Sequence, residues 1–154
     1  ILGSDLLSGE ENLNNNTTYN AFNPLYGTHH KFYGAMDYFY ASSFRGSLNP
    51  GLWDSYMRIS QKQKKKLNLS ANCHYFAITA EINDGGSPLK KGLGTEIDLQ
   101  FEYTIRKDVR MSGGYSTLFG TRSMDQVKGG NHNAWQDWGW LSLNINPEIL
   151  FVKF

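Results

Sequence analysis

The chain lacks most of the features that give a quick answer about function. Cys73 is its single cysteine among 154 residues, so no internal disulfide can form and cysteine usage says nothing about redox compartment. No stretch approaches the ~18 consecutive apolar residues that a spanning helix requires. Mean hydropathy of −0.50 argues in the same direction against a bundle of membrane helices. An excess of charge of one sign is missing too: the formal net charge is +1 and the pI 8.0, too balanced for a nucleic-acid binder. There is no glycine-rich phosphate loop, no nucleophile elbow and no zinc-type cysteine spacing. We therefore expect neither an enzyme nor a cofactor-binding protein, and no nucleic-acid partner.

What the chain does have is strict two-residue alternation. Between Leu93 and Arg106, Ile97, Leu99, Phe101, Tyr103 and Ile105 point one way, while Glu96, Asp98, Gln100, Glu102, Thr104 and Arg106 point the other. The run is longer than the five or six residues usual for a strand of a soluble protein. Long strands with one apolar and one ionisable face are what a barrel in a bilayer needs, and averaged hydropathy hides them. Aromatic residues at 14% and 16 glycines fit such a barrel, though they fit a soluble β-protein as well.

Five further segments complete the pattern. Ile1 to Ser8 reads as the end of a strand already under way, and Glu10 to Thr18 as an Asn-rich loop. Tyr19 to Tyr40 mixes aromatics, glycine and a histidine pair without periodicity, as a structured loop does. Leu52 to Ser60, Leu67 to Ala77, Val109 to Phe119 and Asp137 to Asn146 alternate. Lys62–Lys66 and Lys107–Asp108 read as short turns, whereas 83–92 and 121–136 read as Gly-rich loops. Long and short connections then alternate, as in outer-membrane barrels, with the long loops at about 9–51, 83–92 and 121–136 on the outside. Single-chain bacterial barrels have at least eight strands. The expectation is an all-β fold, with residues 1–154 forming a six-stranded, C-terminal part of a larger up-and-down transmembrane β-barrel.

Parity then selects candidate residues. Asp54, Arg58, Asn68, Asn72, His74, Glu96, Asp98, Gln100, Glu102, Arg106 and Arg110 fall on the face turned away from lipid, where water can solvate charge. They are expected to line a pore and to bridge one another, and opposed acidic and basic walls would produce a transverse field. Glu96, Asp98 and Glu102 invite comparison with paired-carboxylate hydrolases, because alternate strand residues lie roughly 6.5–7 Å apart. Any charged barrel wall has that spacing, so no catalytic role is assigned. His29, His30, His132 and the Cys73–His74 pair suggest a metal only weakly, since neighbours on a strand point apart; hydrogen bonding that orders the loop is preferred. Cys73 falls on the lipid face as a small hydrophobe. Tyr75, Tyr103, Phe119, Trp135 and Trp138 are expected in interfacial belts. The basic turn at Lys62, Lys64, Lys65 and Lys66 is read as a solvated turn.

The segment Asn20-Ala-Phe-Asn-Pro-Leu-Tyr-Gly-Thr-His-His-Lys-Phe-Tyr-Gly-Ala-Met-Asp-Tyr-Phe-Tyr40 is too particular to be composition alone. It resembles a loop in the alginate-export-like family of outer-membrane porins of Gram-negative bacteria. There an FNPLYGT-(N/H)-HKF-x-G-x-MDYFY segment precedes a strand opening with Gly-Leu and an Asp, as Gly51-Leu52 and Asp54 do here. His74-Tyr75-Phe76, Gly94 with Glu96-Ile97-Asp98-Leu99, Lys107-Asp108-Val109, Ser112-Gly113-Gly114-Tyr115-Ser116 and Trp138 to Leu143 are similar landmarks. The resemblance spans nearly the whole chain and corresponds to the C-terminal third of such a porin. It implies a barrel of roughly 16–18 strands in outer-membrane lipid, passing solutes such as acidic polysaccharide. Phe154 stands where such barrels carry a terminal aromatic, but Pro147 interrupts the run and is expected to end the last strand at Asn146.

Together these readings predict a porin for passive passage of small or acidic saccharide-like solutes. His29, His30, Lys31 and Asp37 would form a loop constriction. The rival is a non-conducting barrel that acts as an anchor or docking subunit of a cell-surface complex; in either case an N-terminal barrel segment or surface-complex subunits are the expected protein partners. A third reading, a soluble barrel for an apolar ligand, requires apolar residues inside and polar ones outside.

Overall fold

The structure, a computed structural model, describes residues 1–10, 21–22, 32–39, 49–63, 66–84 and 86–147. Six strands form one antiparallel sheet: β1 (Leu2–Leu7), β2 (Leu52–Gln63), β3 (Leu67–Ala77), β6 (Gly92–Arg106), β7 (Val109–Gly120) and β8 (Asp137–Ile145). They lie side by side in the order β1-β2-β3-β6-β7-β8, so each is hydrogen-bonded to its neighbour in that series. The chain is all-β in character. The sheet is open, with β1 and β8 as its edges, and is not closed into a barrel.

Alternation set the strands where expected, and the structure alters three details. β2 runs on to Gln63, so Lys62 is a strand residue paired with Asn68 and not part of a turn. Within 83–92, expected as a loop, Asn83–Asp84 (β4) and Ser87–Pro88 (β5) make a small separate ladder. The expected loop 121–136 contains a two-turn helix, α1 (Arg122–Lys128). Its cap is local: the Thr121 hydroxyl accepts from Met124 N at the helix start, and Gly129 follows the last turn at φ 83°. Seven residues carrying Met124 and Val127 as the buried apolar pair are too few for a helical period to stand out.

Register fixes which side chains share a face. Asp54, Tyr56 and Arg58 of β2 stand with Phe76, His74 and Asn72 of β3, then with Gly94, Glu96 and Asp98 of β6 and Gly120, Leu118 and Ser116 of β7. On the opposite face Met57, Cys73, Ile97 and Thr117 form one row, and Ile59, Ala71, Leu99 and Tyr115 the next. Two glycines of β7 make room for rings: a Cβ at Gly113 would fall 2.6 Å from the Phe101 ring, and one at Gly114 2.6 Å from Trp140 Nε1.

The apolar core is small and sits at the long-loop end of the polar face. Leu52, Phe76, Ile78, Leu93 and Leu118 of the strand ends and their flanks are covered there by Met124 and Val127 of α1 and by Phe39. Phe39 reaches this core from segment Phe32–Phe39, its ring 4.4 Å from that of Phe76. Among the described residues the other face of the sheet has no such cover. Leu69, Leu99, Tyr115, Phe119, Leu141, Leu143 and Ile145 are all exposed on it.

Candidate functional site

The polar face carries its charge in two different states. Toward the long loops, Asp54, His74, Glu96 and Asp98 are all at most 5% exposed, and Asn72 is buried beside them. Strand parity brings them together: His74 faces Glu96 across β3 and β6, and Asn72 faces Asp98. His74 Nδ1 lies 2.9 Å from Asp54 Oδ1 and 3.0 Å from Oδ2, while its Nε2 lies 3.9 Å from Asp98 Oδ2. The imidazole is thus held between two carboxylates, stacked on Phe76 at 5.6 Å. Arg58 Nε donates to Asn72 Oδ1 at 2.9 Å from the rim of the same layer. Such groups tolerate burial only with partners.

Glu96 has a different kind of partner. Its Oε1 accepts from Met36 N at 2.9 Å, which fastens segment Phe32–Phe39 onto the sheet. Gly34 of that segment has φ +85°, and a Cβ there would fall 2.5 Å from Glu96 Oε2. Only glycine allows backbone to come so close in that conformation. Tyr33 and Asp37 also have positive φ, at 59° each, in a region that non-glycine residues rarely occupy. Burial, and after it the charge of Glu96, raises the Tyr38 phenol above its ordinary value. Lys128 of α1 lies over the Phe39 ring at 5.8 Å, and burial lowers its ammonium to about 8. Glu96 Oε2 and Asp98 Oδ1 are buried without a hydrogen-bond partner among the described residues.

Toward the short turns the same face opens. Glu102, Thr104, Arg106, Arg110, Ser112, Ser142 and Asn144 line a polar hollow of about 370 Å³. Arg110 Nη1 reaches Glu102 Oε2 at 3.4 Å, with both side chains substantially exposed. Lys62 and Lys66 edge a second hollow beside Asn68 and Glu102.

The register therefore gathers ten of the eleven expected residues on one face, but not in one environment; Arg106 follows a register shift that sets it opposite Val109. Asp54, Asn72, His74, Glu96 and Asp98 are sealed, whereas Arg58, Arg106 and Arg110 are exposed. The sealed carboxylates lie toward the loops, whereas Arg106 and Arg110 lie toward the turns beside Glu102. Of the expected constriction, Asp37 lies in the described segment over Glu96; His29, His30 and Lys31 lie outside the described residues, as does Phe154. Trp138 is a correction. It pairs with Ser116, so it stands on the polar face, stacked with Trp140 at 6.3 Å, and not in an outer belt.

Sequence reasoning missed the Met36 and Gly34 contacts altogether. They join a loop to a strand 60 residues away, and the only signal was a glycine amid otherwise bulky residues. His132 bonds Asp125 of α1. Among the described residues no group of three or more His, Cys, Asp or Glu side chains could hold a metal ion. Compared with models of protein families, with characterised proteins and with solved structures, the chain matches none.

Proposed function

We propose that this chain is the C-terminal part of an outer-membrane β-barrel porin of the alginate-export-like kind, admitting small or acidic saccharide-like solutes through a charged lumen. One observation carries the reading. The sheet seals carboxylates on one face and leaves a broad field of Leu, Ile, Tyr and Trp uncovered on the other. Soluble monomers rarely expose a contiguous apolar patch beyond a few hundred Å². Hydrocarbon accepts that field, and a wet interior accepts the charge. A soluble barrel for an apolar ligand needs the opposite assignment of faces.

Strand length supports the same view. A tilted membrane strand needs ~9–11 residues, and β2, β3, β6, β7 and β8 have 12, 11, 15, 12 and 9. Tyr75 and Phe119 lie in register at the loop end of the apolar face, with Trp135 edge-on to Phe119, and Tyr103 lies toward the other end. That is the distribution of an interfacial girdle. The basic hollow near the short turns suits an anionic solute. We expect no catalytic role, since Glu96 and Asp98 are closed beneath the loop segment.

The rival, a non-conducting barrel that anchors or docks a surface complex, is favoured by the apolar core that fills the loop-end half of the inner face. Conductance of the full-length, detergent-extracted protein in a planar bilayer separates the two. A porin gives steady ohmic current that an acidic oligosaccharide blocks; a filled barrel, shown to be folded, gives none.

A further inference from the structure

We propose that Glu96 is the positioning residue that pins segment Phe32–Phe39 against the inner wall as a fixed constriction, and thereby limits the size of solute that passes. The size limit rests on the porin reading above; the anchoring does not. The attachment has two points of unlike chemistry. At one, the fully buried Glu96 carboxylate takes the Met36 amide, and the Gly34 backbone lies against its second oxygen. At the other, Phe39 is packed into the core formed by Phe76, Leu118 and Met124.

The segment's own backbone shows that the attachment does work against strain. Tyr33 and Asp37 hold positive φ within five residues, which costs free energy at non-glycine positions and persists only where surrounding contacts over-determine it. A free loop would relax from that shape. The anchor is also specific to an acceptor at this height of the wall. His74 and Asp98, the neighbours of Glu96 on β3 and β6, face Asp54 and one another. Glu96 accepts from the segment's Met36 amide.

The experiment uses the full-length protein in a cysteine-free background that includes Cys73→Ala, with Ala35→Cys as reporter, because Ala35 is buried under the anchor. A polar maleimide measures access to position 35, and liposome swelling with sugars of increasing size measures the limit. Glu96→Ala should raise the labelling rate about tenfold, as expected when the buried hydrogen bond that closes a local opening is lost. It should also admit larger sugars. Glu96→Gln should leave both readouts at the parent level, because its carboxamide oxygen can still accept from Met36 N. If Glu96→Ala fails to fold, Gly34→Val displaces the segment from its own side without altering the sheet, and the same rise is expected. Parent-level labelling in a folded Glu96→Ala or Gly34→Val protein overturns the proposal. Faster labelling in a protein whose parent and variants all fail to pass sugar keeps the anchor and removes the porin reading.

Discussion

Asp98 and Leu99 are neighbours on β6, yet Asp98 is 1% exposed and Leu99 is 52% exposed. In a water-soluble sandwich those values would be exchanged. The two faces of this sheet differ in what covers them, not in how regularly they alternate. The polar face is closed at one end by Phe39, α1 and the Met36 contact, and each sealed charge has a partner or a neighbouring carboxylate. The apolar face is as well patterned and has no cover among the described residues. A sheet of this kind carries in its own pattern the medium it needs on each side.

The comparison is most easily broken on the polar face. His74→Ala leaves the buried Asp54 carboxyl without its hydrogen-bond partner, which costs about 3 kcal/mol at the upper end for an unsatisfied buried polar group. Denaturant unfolding should lose that much. A loss under about 1 kcal/mol would mean that water reaches Asp54, and that the polar face is not closed at this level.

A matched pair of substitutions tests the two faces against each other. Leu99→Arg places a charge on the proposed lipid face, at a cost of roughly 2–4 kcal/mol near the midplane of a bilayer. Gln100→Arg, one residue on and across the sheet, faces the polar side and should stay within about 0.5 kcal/mol. Reversible unfolding in lipid vesicles reads both. Equal tolerance at 99 and 100 would remove the asymmetry on which the membrane reading depends.

Within the polar face, the exposed half should respond far less than the sealed half. Arg110 and Glu102 meet at 3.4 Å with side chains 58% and 44% exposed. Such a pair contributes at most about 1 kcal/mol, and less at high salt. Arg110→Ala should therefore leave unfolding nearly unchanged while lowering the preference for anions over cations in a conducting protein. Selectivity equal to the parent would place the anion route elsewhere.

The strands were legible because a period of two survives any tertiary context in which the faces differ. From Glu96 through Thr104 parity alone assigns each side chain, and a register shift before the Lys107–Asp108 turn sets Arg106 opposite Val109. What escaped was everything without a period. α1 is two turns long, so Met124 and Val127 look like scattered apolar residues. Residue type suggests a belt for Trp138, whereas its parity with Trp140, Ser142 and Asn144 sets it on the polar face. The anchor between Glu96 and Met36 uses a backbone amide, which any residue but proline supplies, so no side-chain pattern announces it. Parity also gave the face of each charge without its depth, and depth separates sealed Asp98 from half-exposed Glu102.

The smallest expected effect comes from the closed end, where Lys128 lies over Phe39 with its ammonium lowered to about 8 by burial. Its unfolded value is near 10.4. Between those values the unfolded chain binds more protons than the folded one, so stability rises with pH across the window. Below about 8 the full cost of keeping the ammonium partly buried is present. The Tyr38 phenol, raised by burial and by Glu96, works the other way above its ordinary value, because the folded state favours its neutral form and loses that advantage as it ionises. The net gain should therefore appear from about pH 8 to 10 and flatten beyond. The side chain is partly solvated, so the change is small and best followed by hydrogen exchange of the α1 amides rather than by global unfolding. Lys128→Met should abolish the slope and hold α1 at its high-pH protection throughout. A slope that survives Lys128→Met would assign the titration to another group and leave the closed end insensitive to this lysine.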